Sequence, residues 1–298
     1  MATVDLAQLP PPQIIEALDF EVILADVKAV MIAAFPDEQQ VSVAAALKLE
    51  SEPLTILAQV IAYRELMLRQ RINEGAAACM LSHSVSTDLD NLACNLNTER
   101  LVRIPATETT DAEMESDTAL RLRAQSAFEG LSVAGPTGAY EYFAKSASGK
   151  VADARATSPS PAVVVVSILS TEGDGTASNE LIATVNDTLS ADDKRPVADR
   201  LTVQSAEIVN YEIDALLYLY PGPESEPILS AADDALRAWL TEQGKIGRDV
   251  ARSAIMAALH VQGVQRVVLL NPPEDIVIDD TQAARCISHT INVGGTDE

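Results

Sequence analysis

The chain of 298 residues carries 44 acidic against 21 basic side chains, a formal charge of -23, with 47% hydrophobic and only 4% aromatic residues. That length allows two or three domains with real cores, packed mainly by aliphatic side chains and alanine, since domains commonly run about 100 to 150 residues. So acidic a surface repels a phosphate backbone, which excludes nucleic acid as the primary partner, and the three cysteines, Cys79, Cys94 and Cys286, are too few for a disulfide framework and point to a reducing compartment.

At the N-terminus, Asp5 and the prolines Pro10, Pro11 and Pro12 interrupt any apolar run, so no secretory signal is expected. The longest apolar runs, such as residues 162–166, fall far below the ~20 residues of a membrane helix, and the protein is expected to be soluble. A helix can begin only near Pro12, and Ile15, Leu18, Val22, Ile23, Val27, Val30 and Met31 form its stripe until Phe35-Pro36 ends it. Residues 36–40 read as a connector and 41–49 are ambiguous. From about Glu52 a long helix follows, with Leu57, Val60, Ile61, Leu68, Ile72, Ala76 and Cys79 on one stripe that must be buried against something. Glu65 precedes Arg69 by four residues, the favourable order for a helical ion pair, and Arg64, Gln70, Arg71 and Asn73 extend a polar edge. Gly75 is a place where this helix could bend, and residues 90–95 read as a short helix.

Residues 101–105 suit an edge strand. Thr110 with Glu113 resembles a capping box, and Ser116 competes as the cap of a helix whose apolar face is Leu120, Ala124, Ala127 and Phe128, with Gly130 as its stop. Gly135-Pro136 opens another helix through Tyr140, Phe143 and Ala144, closed by Gly149. The period then changes to strands: residues 151–156 alternate, Ser158 to Pro161 is turn chemistry, and residues 163–169 form a β-branched run suited to a central strand. A helix carries Leu181, Ile182, Val185 and Leu189. Residues 201–209 and 211–219 read as two strands with a turn near Asn210, followed by helices over 230–243 and 247–259 and by strands over 264–270 and 286–293. The fold class is α+β: a helical N-terminal third followed by two small α+β units.

Little in the chain points to catalysis. Residues 130–135 lack the Lys-Ser or Lys-Thr of a phosphate loop, and Gly173-Asp174-Gly175 places an acid where an anion needs bare amides. Asp174, Thr176, Ser178 and Glu180 alternate as oxygen ligands, yet no acid closes a calcium loop. Cys79, His83 and Cys94, with Cys286 and His289, are the sharpest metal alternative, but their spacing fits no compact zinc motif. A small core thiol beside a surface imidazole is the plainer reading. No serine is tied to His83, His260 or His289, and the acid pairs Asp192-Asp193 and Asp279-Asp280 lie in predicted turns.

One ordered set of residues resembles a known family. Glu52-Pro53, Ala62-Tyr63-Arg64-Glu65, the run from Leu68 to Asn73 and the run from Asp88 to Ala93 are similar to the N-terminal signature of the baseplate J-like proteins, wedge components of contractile phage tails and phage-derived tail particles. Glu115-Ser116-Asp117, Leu120-Arg121-Leu122-Arg123, Ala134-Gly135, Tyr140, Arg195-Pro196, Asp199 and Tyr211 continue the match in order, from about residue 10 to about residue 275.

The resemblance implies a structural protein with no enzymatic activity and no cofactor, placed in the virion tail baseplate and assembled in the host cytoplasm. It implies a helical bundle region over residues 1–97, a central α+β domain over 98–206 and a C-terminal α+β domain over 207–298 that makes ring contacts. Partners implied are further copies of the chain, a related tail fin-type wedge subunit, a small lysozyme-like baseplate protein and the central hub or spike, with no nucleic acid and no membrane. Interface residues are expected at Glu52, Tyr63, Arg64, Glu65, Arg69, Asp88 and Asp90. The rival readings are a generic cytoplasmic scaffold and, more distantly, a metal-dependent hydrolase.

Overall fold

The computed structural model describes residues 18–107, 109–132, 134–222 and 225–296, together with residues 6, 9 and 10. Its contacts divide the chain into two compact units, Met1–Asn95 and Leu96–Glu298. The start of the first helix expected near Pro12, with Ile15, lies outside the described residues.

In the first unit, α1 (Phe20–Ala34) opens where the Asp19 carboxylate accepts the backbone N–H groups of Glu21 and Val22, satisfying donors that the first turn leaves unpaired. The expected connector and ambiguous stretch fold instead as α2 (Asp37–Ala46), with Asp37 and Glu38 in its first turn. Acids there oppose the positive end of the helix dipole. Next, α3 (Pro53–Ala78) is a single continuous helix about 39 Å long at 1.5 Å per residue. Proline at its first position costs nothing, because that N–H has no helical partner, and Gly75 does not interrupt the helix. After it, α4 (Ser86–Cys94) begins earlier than expected.

The second unit starts with a short antiparallel pair, β1 (Val102–Ile104) and β2 (Glu113–Met114). Glu113 therefore belongs to a strand, and the competing cap prevails: Ser116 Oγ accepts from the Ala119 N–H at 3.3 Å and opens α5 (Asp117–Ser126). A 3-10 turn over Ala127–Leu131 leads to α6 (Thr137–Ala147).

The first three-stranded sheet has the order β3-β4-β5. Strands β3 (Val151–Ser160) and β4 (Val163–Ser170) are antiparallel, and β5 (Arg200–Ser205) runs parallel to β4. A parallel neighbour demands a crossover, which α7 (Asn179–Leu189) provides, capped by Ser178. Tyr140 and Ala144 of α6, the inward residues Ala154, Ala156, Val166 and Ile168, and Leu181, Val185 and Leu189 of α7 form its core.

The second sheet has the order β7-β6-β8. Here the structure corrects two expectations. Strand β6 (Glu207–Leu219) passes straight through Asn210, and the break falls at Ala206. Residues 247–251 are not helical: Gly247 has φ +73, and Val250 bridges Ile276 as an isolated antiparallel pair. So α8 (Glu226–Gln243) is followed by a shorter α9 (Arg252–Leu259), whose first N–H is accepted by Asp275 at 2.7 Å. Strand β7 (Val264–Asn271) is antiparallel and β8 (Gln282–Thr296) parallel to β6. Alternate residues of β6 (Tyr211, Ile213, Ala215, Leu217 and Leu219) join Leu236, Ile255 and Leu259 of the helices in the larger core, and Trp239 and Leu240 pack against it.

Candidate functional site

The long helix α3 is the feature that the rest of the first unit does not explain. Successive residues are rotated ~100° about a helix axis, so residues three, four and seven apart share a face. One face of α3 carries Thr55, Ala58 and Ala62, all buried, with Leu66 half-buried beside them. It packs against Ile23, Leu24, Val27 and Met31 of α1. The two alanines are the reason this face is chosen: without bulky side chains they let the helix axes approach closely, and Ile23 and Leu24 fill the seam.

The apolar stripe expected to be buried is not the one the chain covers. Leu57, Ile61, Leu68 and Ile72 of that stripe are exposed, Val60 is exposed on another side of the helix, Ala76 is half-buried, and Cys79 is exposed too, contrary to its reading as a core thiol. A second row, Ile56, Val60, Tyr63 and Met67, at spacings of four, three and four, is also exposed. Within its own unit, α3 thus offers two uncovered apolar rows on the sides away from α1, separated by the exposed Arg64 and Arg71. Solvated helices do not ordinarily present two such rows, and apolar surface gathered in this way marks a protein contact.

Of the expected interface residues, Tyr63 belongs to the second row and Arg64 lies between the two. Glu52 is half-buried at the residue preceding Pro53, while Tyr63 and Arg64 are exposed. Glu65 and Arg69 are brought together, with Arg69 Nη2 and Nε donating to Glu65 Oε1 at 2.6 and 3.0 Å. Both are partly exposed, so this pair adds only a few tenths of a kcal/mol to the helix. Asp88 is exposed in the first turn of α4, and Asp90 is half-buried on the same helix.

Several of the remaining residues of the family resemblance are structural clamps. Arg123, 6% exposed, donates from Nε and Nη2 to the two carboxylate oxygens of Glu115 at 3.1 and 2.6 Å, and from Nη2 also to the carbonyl of Glu99. Glu115 further accepts the Leu101 N–H at 3.2 Å, and Asp117 accepts from Arg100 at 2.7 Å. These bonds hold the start of the second unit against α5. The Tyr140 hydroxyl donates to Asp199 at 2.8 Å, and burial followed by that carboxylate pushes the phenol well above its ordinary value. Gly135, at φ +69, lies where an added Cβ would meet Pro196 at 2.6 Å. Tyr211 sits in the C-terminal core, where burial raises its phenol as well.

The metal reading gains nothing from the geometry: among the described residues no group of three His, Cys, Asp or Glu is placed to hold an ion. His83 pairs with Ser82, at 2.6 Å. His289 lies 2.8 Å from Asp233, whose carboxyl is held low by Arg237 first and His289 second. Two of the alternating oxygens serve the backbone, Asp174 accepting from the Thr176 N–H and Ser178 capping α7. An open groove of about 590 Å³ is lined by Tyr211, Glu212 and residues 271–277. No helix among the described residues is long and apolar enough to cross a membrane.

Comparison with known proteins gives a consistent result along the chain. Residues 50–107 match the family model of the baseplate J-like N-terminal domain, 132–205 that of the baseplate J-like central domain and 211–293 that of the baseplate J-like protein C-terminal domain. Baseplate protein J of Escherichia phage P2 is 55% identical over 302 residues, covering 100% of both chains.

Proposed function

This chain belongs to the baseplate J-like family, and from that premise we propose that it works mechanically, as a wedge subunit assembling through the uncovered rows of α3. It is a structural component of the phage tail baseplate and is located in the virion tail. The observation that supports the wedge reading is the pair of exposed apolar rows on α3, since one helix with three occupied sides is the centre of a bundle rather than the edge of a hairpin.

In this reading, residues 1–97 pack with a second copy and with a related tail fin-type subunit, and Glu52, Tyr63, Arg64, Glu65, Arg69, Asp88 and Asp90 border the contacts. Residues 98–206 form a central domain, and residues 207–298 contact neighbouring copies to close a ring around the hub. The small lysozyme-like baseplate protein is a further neighbour. The chain holds the ring before host contact and lets it rearrange when the sheath contracts, and it does this by exchanging packed contacts, with no catalysis and no cofactor.

The test is genetic and structural together. A tail-producing strain in which this reading frame carries a nonsense codon is expected to yield no contractile particles with complete baseplates, and supply of the full chain in trans restores them. Normal tails in the absence of the chain overturn the proposal.

A further inference from the structure

The backbone leaves the first three-stranded sheet and enters the second through one residue. Ser205 is the last residue of β5, Glu207 the first of β6, and the Ala206 between them is buried. Its hydrogen bonding changes partner without a gap: the Ala206 N–H donates to the Ile168 carbonyl of β4 at 2.8 Å, and the next N–H, of Glu207, donates to the Thr281 carbonyl beside β8 at 3.0 Å. A linker that is to bend needs solvated, unpaired backbone. This one has none to spare.

Three further contacts close over the same point. Leu169 of β4, Ala206, Ile246 and Ala283 of β8 form a small buried cluster of their own, with Ile208 against it. Asp153 of β3 is 9% exposed, and its two oxygens have different partners. Oδ1 pairs with Lys145 of α6 at 2.7 Å, whereas Oδ2 accepts the N–H of Ile246, from the loop after α8, at 3.0 Å. At the rim, Arg155 Nε donates to Asp280 at 3.0 Å. That pair is about half exposed and contributes little. The buried carboxylate is different, because a charged acceptor on a buried amide is among the stronger hydrogen bonds, and removing it strands the donor.

We infer that the two α+β sheets are fastened as one rigid body, with Asp153 as the side chain that fastens them. Rearrangement of the second unit then leaves the passage through Ala206 unbent. The sequence hides this, since Asp153 reads as one more acid of an alternating strand.

Hydrogen exchange followed by mass spectrometry on the full chain tests it, because peptides from β4 and α7 report the first sheet, peptides from β6 and β7 the second, and α3 reports its own unit separately. In the wild type the slowest amides of the two sheets are expected to share one protection factor within a few-fold. Asp153→Ala should separate them and speed exchange of residues 245–250 roughly ten- to hundred-fold, as a buried donor loses its acceptor. Asp153→Asn keeps an oxygen for the Ile246 N–H and should retain the shared value, which also covers the case in which the alanine variant does not fold. Wild-type sheets that differ more than tenfold overturn the rigid body. A shared value that survives in Asp153→Ala, or is lost equally in Asp153→Asn, removes Asp153 and its amide contact from the role.

Discussion

If the uncovered rows of α3 are contacts, truncating them must cost association and spare folding. Leu68 and Ile72 are 61% and 59% exposed, so about three-fifths of each side chain remains to be covered. Complete burial of such a side chain stabilises by ~1.5–3 kcal/mol, which leaves about 1 kcal/mol for each, and roughly 2 kcal/mol for the Leu68→Ala, Ile72→Ala double variant. That corresponds to about a thirty-fold weaker association constant. Folding of the isolated chain should change by no more than about 0.5 kcal/mol, because surface truncation away from packed features is nearly neutral. Sedimentation of the full chain over a concentration series gives the first quantity, and thermal denaturation at a concentration where the chain is monomeric gives the second. Ala62→Leu is the contrasting variant: Ala62 is fully buried on the α1 side, and overpacking there should cost ~1–3 kcal/mol of folding stability. Unchanged association of the double variant, or a loss of folding stability as large as that of Ala62→Leu, would refute the assignment of the rows to a partner.

Arg123→Ala should lower stability by ~3–5 kcal/mol, read as a large fall in melting temperature, because it leaves the Glu115 carboxylate buried without its counterion. Tyr140→Phe removes one hydroxyl bond to Asp199 and should cost about 1 kcal/mol by chemical denaturation. Since Tyr140 and Tyr211 have folded-state values above the ordinary phenol value of ~10, their contribution is fully present below that pH and is lost as the pH rises beyond it, where the unfolded chain ionises first. Stability measured between pH 9 and pH 11 should therefore fall, and should fall less steeply in Tyr140→Phe. Gly135→Ala forces a Cβ into a left-handed turn and against Pro196, and a loss of at least 1 kcal/mol is expected in the same denaturation assay.

Much of the architecture was legible in the residues alone. Helix and strand are local choices with periods of 3.6 and 2, so the α+β class, the strand run at 163–169, the helix around Leu181 and the Ser116 cap could be read from spacing and from the hydrogen-bonding chemistry of single side chains. The family could be read for a related reason: its residues are spread through clamps such as Arg123 on Glu115 and Tyr140 on Asp199, and a clamp holds only when both partners are present in order. What spacing does not encode is which of several possible faces a helix covers. For α3, alanines at 58 and 62 permit a closer approach than the leucine and isoleucine rows, so α1 takes the small-residue face and the larger apolar residues stay outside. The change of sheet at Ala206 was equally hidden, because residues 200–219 form one nearly continuous extended run whose local pattern is the same on both sides. Only the tertiary partners, Ile168 before that point and Thr281 after it, decide where one sheet ends and the next begins.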